Sequence, residues 1–134
     1  MEQIHPRPLL VLSGLFLTAL VVRVIYFIEL SQIPYFDIVL PVYDHSNFDQ
    51  GGLNFAAGDV LARSPNNSYS PLYKYFLGSL YFLFGRNFYV VYGLQFVLGA
   101  FGAVLIFLIG KRLFDARVGL LASVGFAFYS TEII

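Results

Sequence analysis

The residues able to do chemistry crowd into one stretch of the chain. Between residues 29 and 70 stand Glu29, Asp37, Asp44, Asp49 and Asp59 against Arg63. Asp44 sits just before a segment that reads as a helix, where the positive end of the helix dipole favours negative charge. A carboxylate there is suited to act as a general base, or as an anion facing a cation. The plainer reading makes Asp44 and Asp49 solvated loop acids that cap a helix, and Asp49 keeps that reading throughout. His45, beside Asp44, has the chemistry of a proton carrier or metal ligand, although a lone loop histidine is usually neither. Asp44, His45 and Asp49 lack a compelling ligand spacing, so a divalent metal stays open and no cofactor is assigned. Farther along, Lys74 and Tyr73 fall in an aromatic segment able to hold a lipid phosphate or simply to anchor the chain at a membrane surface.

The elements that position these groups belong to a membrane protein. Of 134 residues, 58% are hydrophobic, 19% aromatic and only 12% charged, well beyond the roughly half-apolar make-up of a soluble domain. The formal net charge is zero, which removes the basic footprint a nucleic-acid binder needs. Cysteine is absent, so a disulfide framework, a thiolate metal site and a cysteine nucleophile are excluded.

Residues 9–28 form a first transmembrane helix, about 30 Å long at about 1.5 Å per residue. A cleaved signal peptide is the competing reading, but no small-x-small site follows, and Arg23, Tyr26 and Phe27 occupy its place. Arg23 is costly within a span. It either snorkels to the outer headgroups or faces the bundle to meet a carboxylate or phosphate near Asp44. Residues 88–109 form a second span, in which Gly99 and Ala103 would let another helix approach closely. A third apolar run, 118–134, is still helix-like at Ile134 with no polar tail, which reads as a truncation.

Residues 71–84, about 21 Å as a helix, are too short to cross. Charge agrees: Arg7 precedes the first span, and Lys111, Arg112 and Arg117 follow the second. The positive-inside rule puts both basic ends in the cytoplasm, so an even number of crossings separates them. The expected order is a cytoplasmic N-terminus, a span, an external loop over about 29–87, a second span, a basic turn, and a third span running outward. Within the loop, Ser46-Asn47-Phe48-Asp49 has the form of a capping box, opening a helix over about 47–57 with Gly58 as its stop. Gly51 and Gly52 inside it imply either a local break or something packed close to its backbone. Ser70 and Pro71 supply an N-cap and first-turn proline for an interfacial helix over 71–84, whose rings Tyr73, Tyr75, Phe76, Tyr81, Phe82 and Phe84 suit the headgroup level, with Lys74 at the same depth.

Several stretches, taken in order, resemble the start of a polyprenyl-phosphate-dependent glycosyltransferase of the large membrane C-type fold, in the branch of protein mannosyltransferases and bacterial aminoarabinose transferases. They are Arg23-Val24-Ile25-Tyr26; Tyr43-Asp44 followed by Phe48 and Phe55-Ala56-Ala57-Gly58-Asp59; Ser70-Pro71-Leu72-Tyr73-Lys74-Tyr75-Phe76-Leu77-Gly78; Leu83-Phe84-Gly85; Gln95; and Gly110-Lys111-Arg112-Leu113-Phe114 with Gly119-Leu120-Leu121-Ala122. The resemblance covers almost the whole chain. It implies that Asp44 corresponds to the catalytic aspartate of the first external loop and that the two short helices are juxtamembrane helices. It also implies transfer of a sugar from a polyprenyl-phosphate carrier in the outer leaflet, with inversion, the aspartate deprotonating or orienting the acceptor hydroxyl. The leaving lipid phosphate then needs cations, for which Lys74, Arg23 and Arg63 are the local candidates, with Tyr73 beside them. Aminoarabinose-branch relatives have a lysine immediately before Pro-Pro-Leu, where this chain reads Tyr69-Ser70-Pro71-Leu72, and Lys74 is the nearby substitute.

The expectation is therefore an all-α polytopic membrane bundle, a single domain over 1–134, forming the N-terminal part of such an enzyme in the cell (inner) membrane. Its partners are a polyprenyl-phosphate-linked sugar and membrane lipid, with the acceptor open among lipid, protein and glycan. The piece alone, lacking later spans and loops, is expected to be inactive. The rival is a small non-enzymatic membrane subunit or scaffold whose acidic external loop binds a partner.

Overall fold

The structure is a computed structural model that describes residues 6–32, 44–61 and 70–129. Among the described residues five helices follow one another: α1 (Pro6–Ser31), α2 (Asp44–Ala56), α3 (Pro71–Phe84), α4 (Phe88–Leu113) and α5 (Ala116–Phe128). Among the described residues there is no strand, so the chain is all-α. It divides into two compact units, one built on α1, most of α4 and α5, the other on α2, α3 and the first residues of α4.

Leu9–Ser31 and Phe88–Leu113 are long and apolar enough to cross a membrane, with 23 and 26 residues and mean hydropathies of 2.3 and 2.2. At about 1.5 Å per residue they reach about 35 and 39 Å, more than a bilayer core. Only 11% and 28% of their most apolar windows are buried by protein, whereas a core helix of a soluble protein would be mostly covered. Leu10, Leu17, Ile25, Leu98 and Leu105 point outward. The apolar stripe is thus not a face but nearly the whole circumference, as lipid-solvated helices require.

Small residues make the helix contacts. Ala19 of α1, Ala100 and Ala103 of α4 and Ala127 of α5 form one buried cluster, with Phe16, Leu20 and Phe126 packed on it. Ser123 Oγ donates to Ala103 O at 2.8 Å, tying α5 to α4. At Gly110 and Gly119 the two backbones touch, because a Cβ on Gly110 would lie 2.6 Å from the Cα of Gly119. Such close approach without side chains between is how membrane helices gain packing when lipid competes for apolar surface. Asp115 caps α5, accepting from the amides of Arg117 at 2.7 Å and Val118 at 2.8 Å.

Helix ends differ from the expected limits for physical reasons. Both long helices outrun their apolar cores: Pro6 and Pro8 fall in the first turn of α1, where a missing N–H is harmless, and Lys111 and Arg112 extend α4 at the end its dipole makes favourable to cations. The third apolar run forms α5 only to Phe128, 13 residues. Residues 130–134 of that expected span lie outside the described residues.

In the second unit α2 begins at Asp44, three residues before the expected start, so Ser46 lies within the helix rather than at its N-cap. Gly58 does stop α2, at φ 105 with its N–H on Phe55 O at 2.9 Å and the N–H of Asp59 on Asn54 O at 3.0 Å. That pair of bonds is a Schellman ending. α3 is entered through Ser70 at φ 46, with Pro71 as first helical residue. The expected serine cap is absent: its side chain makes no cap bond, since a left-handed backbone is not the extended one that aims a cap oxygen at the N2 and N3 amides.

Candidate functional site

α2 and α3 are held face to face by glycines. A Cβ on Gly51 would meet Cδ of Lys74 at 2.5 Å, one on Gly52 would meet Leu77 at 2.9 Å and Tyr81 at 3.1 Å, and one on Gly78 would meet Phe55 at 2.5 Å. Of the two meanings offered by Gly51-Gly52, the close neighbour is therefore the one realised. Ring pairs flank the contact, Phe48 with Tyr73 edge-on at 5.2 Å and Phe55 with Tyr75 at 5.3 Å. Leu77, Leu80, Tyr81 and Val91 form the buried centre of this unit.

The expected site residues fall as follows. Asp44 is exposed at the first residue of α2, with exposed His45 beside it. Tyr73 is half-buried, edge-on to Phe48 and stacked on Phe76 at 6.0 Å. Lys74 is 2% exposed, its methylenes laid along α2 at Gly51. Composition placed its ammonium at a membrane surface with the rings; the structure instead turns the stem inward, because Gly51 leaves room for it. Tyr81, also assigned to that surface, is buried. The outward side of α3 is carried by Leu72, Phe82, Leu83 and Phe84. Asp44, Tyr73 and Lys74 thus share one unit, and Arg63 lies outside the described residues.

Arg23 belongs to the other unit and is fully buried there. Its Nη1 donates to Ala19 O at 3.1 Å, and its guanidinium carbon stands 5.7 Å from the centre of the Phe126 ring. Gly99 makes the space, since a Cβ there would lie 2.6 Å from Nε. The side chain thus turns into the bundle instead of snorkelling to the headgroups. In the same unit an apolar cleft of about 450 Å³ is lined by Leu12, Ser13, Phe16, Leu17, Phe101 and Val104, without a titratable group.

Sequence reasoning missed the strongest polar constellation. Asp49 is not a solvated cap. Arg86 grips it with two nitrogens, Nε to Oδ1 at 2.9 Å and Nη2 to Oδ2 at 3.0 Å, while Tyr81 OH donates to Oδ1 at 2.9 Å. The Asp49 side chain is 13% exposed and that of Arg86 39%. Arg86 also lies 4.7 Å over the Phe88 ring. Burial, and then the bond to Asp49, push the Tyr81 phenol well above its ordinary value of 10.0. This is a forked, charge-assisted clasp from mid-α2 to the link between α3 and α4. One signal was available: Arg86 directly follows the helix stop Gly85, in a loop where acids outnumber bases.

Chemically, Asp49 is occupied as an acceptor, whereas Asp44 presents a carboxylate outward from a braced helix. Among the described residues no three of His, Asp or Glu gather as a metal would require. Residues 68–132 match the family model of dolichyl-phosphate-mannose-protein mannosyltransferases. Over that segment, which includes α3, α4 and α5, the chain is mannosyltransferase-like, in line with the resemblance read from the sequence. The matched segment contains Tyr73, Lys74 and the Arg86 of the clasp, and it leaves out Asp44, Asp49 and Arg23. No curated protein and no solved structure matches the chain. Two helices fit to cross a bilayer and a match to membrane mannosyltransferases together indicate a membrane protein.

Proposed function

We propose that this chain supplies the acceptor-activating end of a membrane glycosyltransferase that takes a sugar from a polyprenyl-phosphate carrier. In this reading α2 and α3 are interfacial helices of an extracytoplasmic loop over about 29–87, with the N-terminus and the Lys111–Arg117 turn in the cytoplasm. The Asp44 carboxylate accepts the proton of an acceptor hydroxyl, and the freed oxygen attacks the anomeric carbon. The polyprenyl phosphate departs from the opposite face, so the configuration inverts. Charge developing on the departing phosphate calls for cations, and Lys74 and Arg63 are the ones proposed, with the Tyr73 phenol as a donor. The acceptor is a lipid, a protein or a glycan.

The observation that carries this reading is the contrast within α2: Asp49 is taken up by Arg86 and Tyr81, while Asp44 is exposed on the first turn. The family match gives the sugar-transfer class its support. The decisive experiment is Asp44→Asn in the complete protein, assayed with a lipid-linked sugar. Transfer should fall by about a hundredfold or more at unchanged expression, the scale of a lost general base. A normal rate would remove Asp44 from the chemistry. Placement is tested separately: the chain has no cysteine, so a single cysteine at position 44 should label from the extracytoplasmic side.

A further inference from the structure

The turn joining α4 to α5 concentrates features that helix formation does not explain. Lys111, Arg112 and Arg117 are all exposed, and among the described residues none of them enters an ion pair. Asp115, in the same turn, accepts from the amides of Arg117 and Val118. Leu113 at 69% and Phe114 at 73% exposure stand among these cations. Lys111 and Arg112 suit the carbonyl end of α4, but Arg117 sits in the first turn of α5, where the dipole opposes a positive charge. The turn is also built stiff, because the backbones meet at Gly110 and Gly119, and a Cβ on Gly119 would lie 2.8 Å from the amide nitrogen of Lys111. Three cations are thereby fixed at one end of a helix pair, where the candidate span of α4 finishes at Leu113.

We propose that this turn is a docking surface for the headgroup of an anionic phospholipid. Lys111, Arg112 and Arg117 bind the phosphate, and Leu113 and Phe114 lie against the upper acyl chain. Charge complementarity selects an anionic headgroup over a zwitterionic one, since each basic residue near such a surface contributes about a fivefold preference. The apolar pair explains why the partner is a lipid rather than a soluble anion. Because the two helices are already locked, little ordering opposes binding. The inference is independent of any role for Asp44.

The test uses the whole chain in micelles doped with equal phosphatidylglycerol and phosphatidylcholine, with retained lipid counted by native mass spectrometry. The expected result is phosphatidylglycerol retained at least tenfold over phosphatidylcholine, the preference collapsing in the K111Q/R112Q/R117Q variant. The single variant Arg117→Gln, on an exposed site whose backbone cap is untouched, should lose about fivefold. The variant K111R/R112K/R117K, which keeps the charge, should retain the preference. Equal retention of both lipids by the unaltered chain, or an undiminished preference in R117Q and the triple glutamine variant, would overturn the proposal.

Discussion

Arg86 reaches across 37 residues of sequence to hold both carboxylate oxygens of Asp49, and so fixes the middle of α2 to the link between α3 and α4. Asp44 lies little more than one turn before that anchor. The exposed carboxylate is therefore carried on a helix that cannot drift freely, although its own side chain faces outward.

Loss of this clasp should cost stability asymmetrically. Asp49→Ala removes the Arg86 pair and leaves the buried phenol of Tyr81 without its acceptor, and is expected to destabilise by about 2 kcal/mol. Arg86→Gln leaves the Tyr81 bond intact and removes a cation that is 39% exposed, so about 1 kcal/mol or less is expected after solvent screening. Thermal unfolding of the two variants in the same detergent checks the order. Equal melting temperatures would contradict it.

The α2–α3 contact predicts opposite outcomes at two helical glycines. Gly78→Ala forces a methyl to within 2.5 Å of the Phe55 side chain, so overpacking of about 1–3 kcal/mol should outweigh the gain in helix propensity. At Gly93 nothing lies within 4 Å, and the same substitution should stabilise α4 by about 0.5–1 kcal/mol. Chemical unfolding monitored by helix content separates the two signs.

In the other unit the Gly110–Gly119 crossing is backbone on backbone and has no flexible side chain to yield. Gly119→Ala would put a methyl 2.6 Å from the Phe107 carbonyl oxygen. It should cost more than Gly125→Ala, which meets nothing within 4 Å. Comparing the unfolding midpoints of the two alanine variants in one detergent decides this. A Gly119→Ala protein as stable as Gly125→Ala would mean the helices can separate freely.

Tyr81 gives a pH signature. The folded chain holds the phenolic proton more tightly than the unfolded chain does. Its contribution to stability is therefore complete below about pH 10 and fades as pH climbs through the raised folded value. Tyrosinate absorbance should show a late-ionising ring, and Tyr81→Phe should abolish that late step. A titration unchanged by the substitution would sink the assignment.

Legibility in the sequence followed the range of the interactions. α1 and α4 were readable because length and apolarity act locally, and Gly58 because a helix stop needs only its own backbone. The start of α2 was misplaced. Ser46 and Asp49 have capping-box spacing, but Asp49 finds a better partner in Arg86, and no local pattern encodes a bond over 37 residues. Lys74 and Tyr81 were assigned to a surface because aromatic composition does not say which side of a helix meets Gly51 and Gly52. Arg23 could not be oriented at all, since a helix apolar all round has no face to point from. Asp44 was expected just ahead of a helix, and the structure makes it the first residue of α2.

The sparse internal covering of α1 and α4 has a practical corollary. Stripped of hydrocarbon or amphiphile, those walls would seek each other in neighbouring molecules, for the chain alone cannot hide them. Any stoichiometry recorded under such conditions would measure the missing solvent, and assemblies of this protein acquire meaning only when weighed inside a lipid phase.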